Sequence, residues 1–111
     1  MPDRLILYHS PSGSAGVTAA GVTLNDNNWH HIAVIRDYTN NNSKIYVDGK
    51  LNNTGSNFAE DLSNAETLYI GRSGSDYFSG LIDDVRIYNY ARTADQVMQD
   101  YNQGLAARMG D

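Results

Sequence analysis

The chain lacks cysteine and has only two prolines among its 111 residues. Without cysteine it has neither a disulfide framework nor a thiolate metal site. It also lacks a cluster of lysine and arginine, and its formal net charge is −5. Because phosphate groups are bound by concentrated basic side chains, we expect no nucleic-acid partner. No apolar run is long enough to cross a bilayer, so we also expect no membrane insertion.

The residue types that are abundant favour β structure. Eight tyrosines and ten glycines, together with many asparagines and threonines, are typical of strands joined by tight turns. Short apolar runs alternate with turn-forming clusters, which is the spacing of an all-β sandwich or barrel. The length fits one unit, so residues 1–111 are predicted to form a single domain.

The strongest strand signals lie in the middle of the chain. Residues 31–37 are apolar on both faces, which predicts a strand that is central in its sheet. Residues 44–55 predict a hairpin, since Asp48-Gly49 supplies the two positive-φ residues of a type I′ turn. Further strands are predicted at residues 5–10, 67–73 and 78–88.

Only the C-terminal part of the chain has helical spacing. Thr93 and Gln96 have the spacing of a capping box, in which each residue satisfies a free backbone N–H of the other. Val97 and Tyr101 follow on one helical face, and Gly104 is predicted to end the helix. The pattern therefore predicts an all-β fold with one short C-terminal helix.

Four sequence segments carry a resemblance to a known family. They are WHHIAVIRD (29–37), KIYVDGKL (44–51), TLYIGRSG (67–74) and FSGLIDDVRIYNYARTADQV (78–97). In this order they resemble the C-terminal half of a laminin G-like, concanavalin A-like jelly roll, with the strongest match over residues 29–104. The resemblance implies an antiparallel jelly-roll β-sandwich. Modules of this family are longer and their opening strands have no match here, so the chain is expected to be a fragment, a half that pairs with a second copy, or a compact variant.

The resemblance implies a non-catalytic binding module of a larger bacterial or phage protein. Its expected ligand is a carbohydrate or glycoconjugate, and its expected location is extracellular or on a cell or virion surface. The alternative is a structural or assembly module. Such a module would self-associate as a homodimer or other homo-oligomer, through sheet edges or strand exchange.

Glucanases share this jelly roll, so a glycosidase is a third alternative. Glycoside hydrolysis needs two carboxylates that face each other across a sugar bond. On a strand, two such residues are spaced i, i+2, because alternate side chains share a face. No acidic pair in the chain has this spacing, and the only glutamates are Glu60 and Glu66. We therefore predict that the chain is not an enzyme.

Loop asparagines and tyrosines are the candidate ligand-binding residues. Asn40 and Asn41 could donate and accept hydrogen bonds with sugar hydroxyls, and the rings of Tyr38 and Tyr77 could stack on a sugar face. Each has an ordinary structural alternative. Asparagine is a common turn residue because it tolerates left-handed backbone, and a tyrosine can cap a core.

Asp83 is the candidate metal ligand. The stretch Ile82-Asp83-Asp84-Val85-Arg86-Ile87-Tyr88 is similar to the last strand of glucanases with this fold, in which an aspartate holds a structural calcium. The resemblance therefore implies calcium as a cofactor, although calcium needs six to eight oxygen ligands. In the alternative, Asp83 accepts hydrogen bonds from backbone or arginine groups while Asp84 faces solvent.

The Trp29-His30-His31 stretch is predicted to be structural. Adjacent residues of a strand point to opposite faces, so the two histidines do not converge on one metal ion. We expect Trp29 to close one end of the sandwich and one histidine to form a hydrogen bond in the core.

Overall fold

The computed structural model describes residues 6–9, 15–56, 67–73 and 75–109, and within these ranges it confirms a mainly β fold with a C-terminal helix. Its elements are β1 (Ile6–His9), β2 (Ala15–Thr18), β3 (Ile32–Asp37), β4 (Asn42–Val47), β5 (Lys50–Ser56), β6 (Arg72–Ser73), β7 (Asp76–Tyr77) and α1 (Ala94–Met109). The strands form three antiparallel sheets, β1-β2, β3-β4-β5 and β6-β7.

The three-stranded sheet contains the predicted hairpin. Asp48 and Gly49 have φ angles of 51° and 79°, which confirms the two left-handed residues expected between β4 and β5. The prediction that 31–37 is a central strand is wrong for this sheet, because β4 lies between β3 and β5. An apolar pattern on both faces indicates that other parts of the chain pack above and below the strand. It does not report how many strands lie beside it.

Both faces of this sheet are covered, because alternate side chains point to opposite sides. On one face, buried Ile45 and Val47 pack against Ile32 and against apolar residues of the 19–24 segment. On the other face, Ile35 and Tyr46 pack against Val97 of α1. The sheet therefore has a small apolar core on each side.

A bulge in β5 fastens the 19–24 segment to the sheet. The register shifts between Ile45 and Tyr46, which pair with Asn53 and Leu51, so Asn52 is the extra residue. Its side-chain oxygen accepts a hydrogen bond from the Ala20 N–H at 2.7 Å, and its side-chain nitrogen donates to the Ala20 carbonyl at 2.9 Å. These two bonds hold the segment over the Ile45 side of the sheet.

The helix begins as predicted but extends further. The capping box is confirmed, since the Gln96 N–H donates to Thr93 Oγ1 at 3.2 Å and the Thr93 N–H donates to Gln96 Oε1 at 2.9 Å. The predicted end at Gly104 is wrong, because α1 continues to Met109. The sequence Leu-Ala-Ala-Arg-Met after the glycine consists of strong helix formers, which offset a glycine cost of about 1 kcal/mol. None of the helical segments described is long and apolar enough to span a membrane.

The C-terminal strand predictions are largely wrong. Only Arg72–Ser73 of the predicted 67–73 strand is in a sheet, its partner Asp76–Tyr77 lies outside the predicted strands, and residues 78–88 form no strand. A strand requires the backbone of a neighbour, and no strand of the described ranges pairs with 78–88. Asp84 also has φ 55°, which interrupts an extended conformation.

Candidate functional site: the 38–41 turn and the adjoining cleft

The β3–β4 connection brings three of the predicted ligand-binding residues together. Tyr38, Asn40 and Asn41 lie in one exposed turn, which is closed by a hydrogen bond of 3.3 Å from the Asn41 N–H to the Tyr38 carbonyl. Asn41 has φ 52°, a conformation that asparagine adopts more readily than most residues. The turn therefore presents neighbouring polar and aromatic side chains at one end of the sheet.

Asp37, the last residue of β3, fixes the conformation of Asn40. Its Oδ1 accepts the Asn40 backbone N–H at 3.0 Å, and its Oδ2 accepts the Asn40 side-chain Nδ2–H at 2.7 Å. These hydrogen bonds, the side-chain bond first, hold the pKa of the Asp37 carboxyl below its ordinary value. The carboxylate thus stays ionised near neutral pH and orients the Asn40 carboxamide.

Tyr38 presents an aromatic surface beside this amide. The residue is 57% exposed, and the guanidinium carbon of Arg36 lies 5.4 Å from the centroid of its ring. A cation at this distance over a tyrosine ring is attracted by its π electrons. The ring is therefore both accessible and positioned.

An open cleft adjoins the turn, between the sheet and the start of the helix. Its volume is about 270 Å³, and Asp37, Lys44 and Arg92 supply its charged groups. Arg92 is held by Asp100 through bonds of 2.7 and 3.2 Å, and it donates to the Tyr90 hydroxyl at 2.7 Å. The Asp100 carboxylate raises the pKa of Arg92 above its ordinary value. The cleft rim is therefore permanently charged near neutral pH.

Tyr77 lies apart from this group. It is in β7, is 70% exposed, and its ring centroid is 5.5 Å from the guanidinium carbon of Arg72. Among the described residues, no hydrogen bond, ion pair or ring contact joins Tyr77 to the 38–41 turn. The four predicted residues therefore occupy two locations.

The surroundings of Asp83 do not complete a calcium site within the described ranges. Asp83 Oδ1 accepts the backbone N–H of Asp84 at 2.8 Å, and the Asp84 carboxylate binds Arg86 at 3.2 and 3.3 Å. The described part of the chain contains no group of three or more acidic or histidine side chains suited to a metal ion. Calcium also takes backbone carbonyl oxygens as ligands, so the assignment of Asp83 stays a prediction.

A cluster that the sequence did not predict joins the 25–28 loop to the β4–β5 turn. His30 Nδ1 is 2.8 Å from Asp48 Oδ2, and His30 Nε2 is 2.8 Å from Asp26 Oδ1. Asp48 Oδ1 also accepts the backbone N–H of His31 at 2.9 Å. Both ring nitrogens of His30 thus face a carboxylate, which leaves neither free to bind a metal.

The electrostatics of this cluster favour a charged imidazole. Hydrogen bonds to Asp48 and then to Asp26 raise the pKa of His30 above its ordinary value. The bond to His30 in turn is the largest cause that lowers the pKa of Asp26 to about 2. The only sequence signal was the presence of aspartates in two turns. Their meeting at one histidine depends on tertiary structure.

The other two residues of the Trp29-His30-His31 stretch differ from each other in environment. Trp29 is 47% exposed, and its position at the end of the sandwich stays a prediction. The His31 ring lies 6.0 Å from the Tyr101 ring of α1, and burial lowers the pKa of His31. The predicted histidine hydrogen bond exists, but it is made by the partly buried His30 at a loop junction.

Comparison with known proteins agrees with this architecture. The antiparallel sheets and closing helix define a partial jelly roll. The family model of the Concanavalin A-like lectin/glucanases superfamily matches residues 3–98, and the chain belongs to this family. The predicted resemblance and fold class are thereby confirmed.

One solved structure has the same fold. It is an S-layer domain-containing protein (residues 221–444) from Clostridium thermocellum ATCC 27405, with a TM-score of 0.63 and 23% sequence identity. The similarity covers 88% of this chain and 50% of that chain, so this chain spans about half the length of the solved one. No curated protein matches the sequence.

Proposed function

We propose that the chain is a non-catalytic binding module that recognises a carbohydrate or glycoconjugate at the 38–41 turn. The observation that carries this proposal is the Asn40 carboxamide, oriented by Asp37 beside the exposed ring of Tyr38. A positioned amide next to an accessible aromatic ring suits a sugar, which has hydroxyl groups at its edge and an apolar face. Membership of a superfamily that includes lectins supports this ligand class.

Recognition would combine stacking with hydrogen bonds. The Tyr38 ring covers the apolar face of one sugar residue. Asp37 holds the amide nitrogen of Asn40, so the Asn40 side-chain oxygen remains to accept a sugar hydroxyl. Because this turn is already ordered, little conformational entropy is lost when the ligand binds. The adjoining cleft would accept a second sugar residue against Lys44 and Arg92.

The carboxylates of this surface support binding without catalysis. Among the residues that the structure describes, Asp37 is the only acidic one that lines the cleft, and its two oxygens accept hydrogen bonds from Asn40. A glycosidase requires a second carboxylate across the sugar bond. The site therefore supports ligand binding and not hydrolysis of a sugar bond.

The solved neighbour supports a surface location for the parent protein. That neighbour is described as an S-layer domain-containing protein of a bacterium. By analogy, we propose that the present chain is part of a bacterial or phage protein that acts outside the cell or on a cell or virion surface.

A glycan array followed by calorimetry of the best ligand tests the proposed function. Replacement of Tyr38 by alanine removes the stacking face, and we expect the dissociation constant to rise about tenfold or more, equivalent to a loss of about 1.4 kcal/mol. The matched control is Tyr69→Ala. Tyr69 is 55% exposed and its ring is 4.5 Å from an arginine, but it lies outside the turn.

The outcomes separate the two predicted locations. Equal affinities of wild type and Tyr38→Ala, with a loss in Tyr77→Ala, would move the site to the β6–β7 hairpin. The absence of any retained glycan would contradict the proposal for both locations.

A further inference from the structure

The cleft beside the 38–41 turn has more positive than negative side chains. Of the described residues that line it, Lys44 and Arg92 are cationic and Asp37 is acidic. The chain as a whole has a net charge of −5, so this excess of cations is a local feature. Lys44 comes from β4, Asp37 from the end of β3, and Arg92 from the segment before α1. The tertiary structure therefore brings the two cations together.

The carboxylate in the cleft is already used by the turn. One oxygen of Asp37 accepts the Asn40 backbone N–H, and the other accepts the Asn40 side-chain N–H. Lys44 pairs with Ile35 in the β3–β4 register, so it lies diagonally to Asp37 on one face of the sheet. Among the described residues, no ion pair joins Lys44 to Asp37. Asp37 therefore does not neutralise Lys44 by direct contact.

The ammonium group of Lys44 has no hydrogen-bonding or ion-pair partner within the described ranges, although the residue is partly buried. An ammonium group has three N–H donors, and burial reduces the water that can satisfy them. An anionic group of a ligand in the cleft would supply the missing acceptor.

Arg92 offers further donors at the same cleft. A guanidinium group has five N–H donors, and Arg92 uses one on each of its three nitrogens in its bonds to Asp100 and Tyr90. One N–H on each terminal nitrogen thus remains without a partner in the described part of the chain. The bonds to Asp100 and Tyr90 also fix the direction of these donors. A planar group with free N–H donors suits the oxygens of a carboxylate or a sulfate.

We propose that the sugar residue in this cleft is acidic and that its carboxylate or sulfate ester binds Lys44 and Arg92. This assignment rests on the proposed function, because it names the class of saccharide that the turn and the cleft bind together. Hydrogen bonds between charged groups are about twice as strong as those between neutral groups. The ring of Tyr38 therefore contributes affinity for many sugars, whereas Lys44 and Arg92 select acidic ones.

A glycan array with neutral, uronic acid-containing and sulfated oligosaccharides tests this proposal. We expect the wild-type chain to retain acidic glycans in preference to neutral ones. Calorimetry then compares the best acidic glycan with its neutral counterpart, which is the methyl ester of the uronic acid or the desulfated sugar. The neutral counterpart should bind about tenfold more weakly. Retention of uronic acids alone would assign a carboxylate to the cleft, and retention of sulfated sugars alone would assign a sulfate ester.

The variant Lys44→Gln removes the charge and keeps a side chain of similar length. We expect its dissociation constant for the acidic glycan to rise about tenfold, with a smaller rise for the neutral counterpart, since only the acidic ligand loses a charge-assisted bond. The matched control is Lys50→Gln, which changes the net charge equally. Lys50 is exposed at the start of β5 and outside the cleft. The control should bind like the wild type, and circular dichroism should show folded protein in both variants.

The failure of this assignment is distinguishable from the failure of the proposed function. Retention of neutral glycans that is lost in Tyr38→Ala and unchanged in Lys44→Gln would overturn the acidic class and leave the binding module intact. Equal losses in Lys44→Gln and Lys50→Gln would show attraction by net charge, which also overturns a specific site in the cleft. Retention of no glycan would contradict both.

Discussion

At the scale of single residues, Gly49 has the clearest structural requirement. Its φ of 79° is left-handed, and a Cβ atom at this position would lie 2.9 Å from Tyr101 Cδ2 and 3.0 Å from Met98 Sδ. The β4–β5 turn therefore approaches α1 so closely that only glycine fits without displacement. Glycine is therefore required at this position both by the left-handed turn and by the close packing of α1.

Gly49→Ala should lower the free energy of unfolding by about 2 kcal/mol or more, from backbone strain and from crowding against α1. Chemical denaturation measures this change. Gly21→Ala is the matched control, since Gly21 has φ 63° with no atom within 4 Å of the added Cβ. We expect the control to show the backbone cost alone, about 1 kcal/mol. Equal losses in the two variants would contradict a close contact with the helix.

At the scale of elements, His30 joins the 25–28 loop to the β4–β5 turn. The imidazole lies between Asp26 and Asp48, so the junction is strongest when the ring is protonated and both carboxylates are ionised. In the unfolded chain neither carboxylate is held beside the ring. The attachment of the 25–28 loop should therefore depend on pH.

The sign of the pH dependence follows from the direction of each pKa shift. The His30 pKa is raised above 6.5 in the folded state, so its stabilisation is complete below pH 6.5 and is lost as the pH rises through the folded pKa. The Asp26 pKa is lowered from 3.8 to about 2, so its stabilisation is present above pH 3.8 and is lost as the pH falls through about 2. The junction should be most stable between these limits.

Thermal unfolding at several pH values measures this contribution. We expect His30→Gln to lower the unfolding midpoint at pH 5 more than at pH 8. NMR titration should give a pKa for His30 above that of an exposed histidine. His31 is an internal comparison, because burial lowers its pKa and its contribution has the opposite sign. An equal loss at pH 5 and pH 8 would show that the imidazole acts as a neutral group.

The capping box at the start of α1 also acts at the scale of a single element. Thr93 and Gln96 satisfy backbone N–H groups at the start of α1, one turn before buried Val97. Thr93→Ala should therefore reduce the free energy of unfolding by about 1 kcal/mol, as measured by denaturation. Thr93→Ser keeps the hydroxyl group and should retain most of the stability. If serine and alanine had the same effect, the threonine methyl group would be responsible.

At the scale of the whole molecule, net charge and exposed apolar area have opposite effects on contact between two copies of the chain. Each chain carries a net charge of −5, while residues 67–90 expose apolar side chains to water. Two copies would repel each other through these charges at long range, whereas contact between their exposed apolar side chains would remove apolar area from water. Salt screens the repulsion between exposed charges and leaves apolar burial largely unaffected.

Any self-association through the exposed apolar side chains of residues 67–90 should therefore strengthen as salt concentration rises. Sedimentation velocity at about 0.02 M and about 0.5 M NaCl should show a larger dimer fraction at the higher salt, where the Debye length is several-fold shorter. A smaller dimer fraction at high salt would mean that ion pairs, and not apolar contacts, hold the copies together.

The parts of the fold that sequence predicted are those with causes within a few residues. The Asp48-Gly49 turn depends on two residues that accept positive φ, and the helix start depends on Thr93 and Gln96. The residues of the 38–41 turn were predicted as ligand-binding candidates, and their proximity follows from chain continuity. Their role in binding is still a proposal.

Two of the incorrect predictions, those for β3 and for residues 78–88, depend on contacts between distant segments. The position of β3 in its sheet depends on which strands pair, and the absence of a strand at 78–88 follows from the lack of a paired neighbour among the described strands. Helix α1 continues past Gly104 because the residues beyond that position favour helix. Local glycine signals were therefore a poor guide to its end.

By itself, the sequence determined the antiparallel β class, the hairpin turn, the helix cap and the family, because these depend on local conformation and on the order of motifs. Only the tertiary structure decided that His30 lies between two aspartates, that Asp37 orients Asn40 beside an open cleft, and that residues 67–90 expose an apolar surface. Each of these features arises when segments meet in space. Which segments meet depends on apolar burial and backbone pairing over the whole chain.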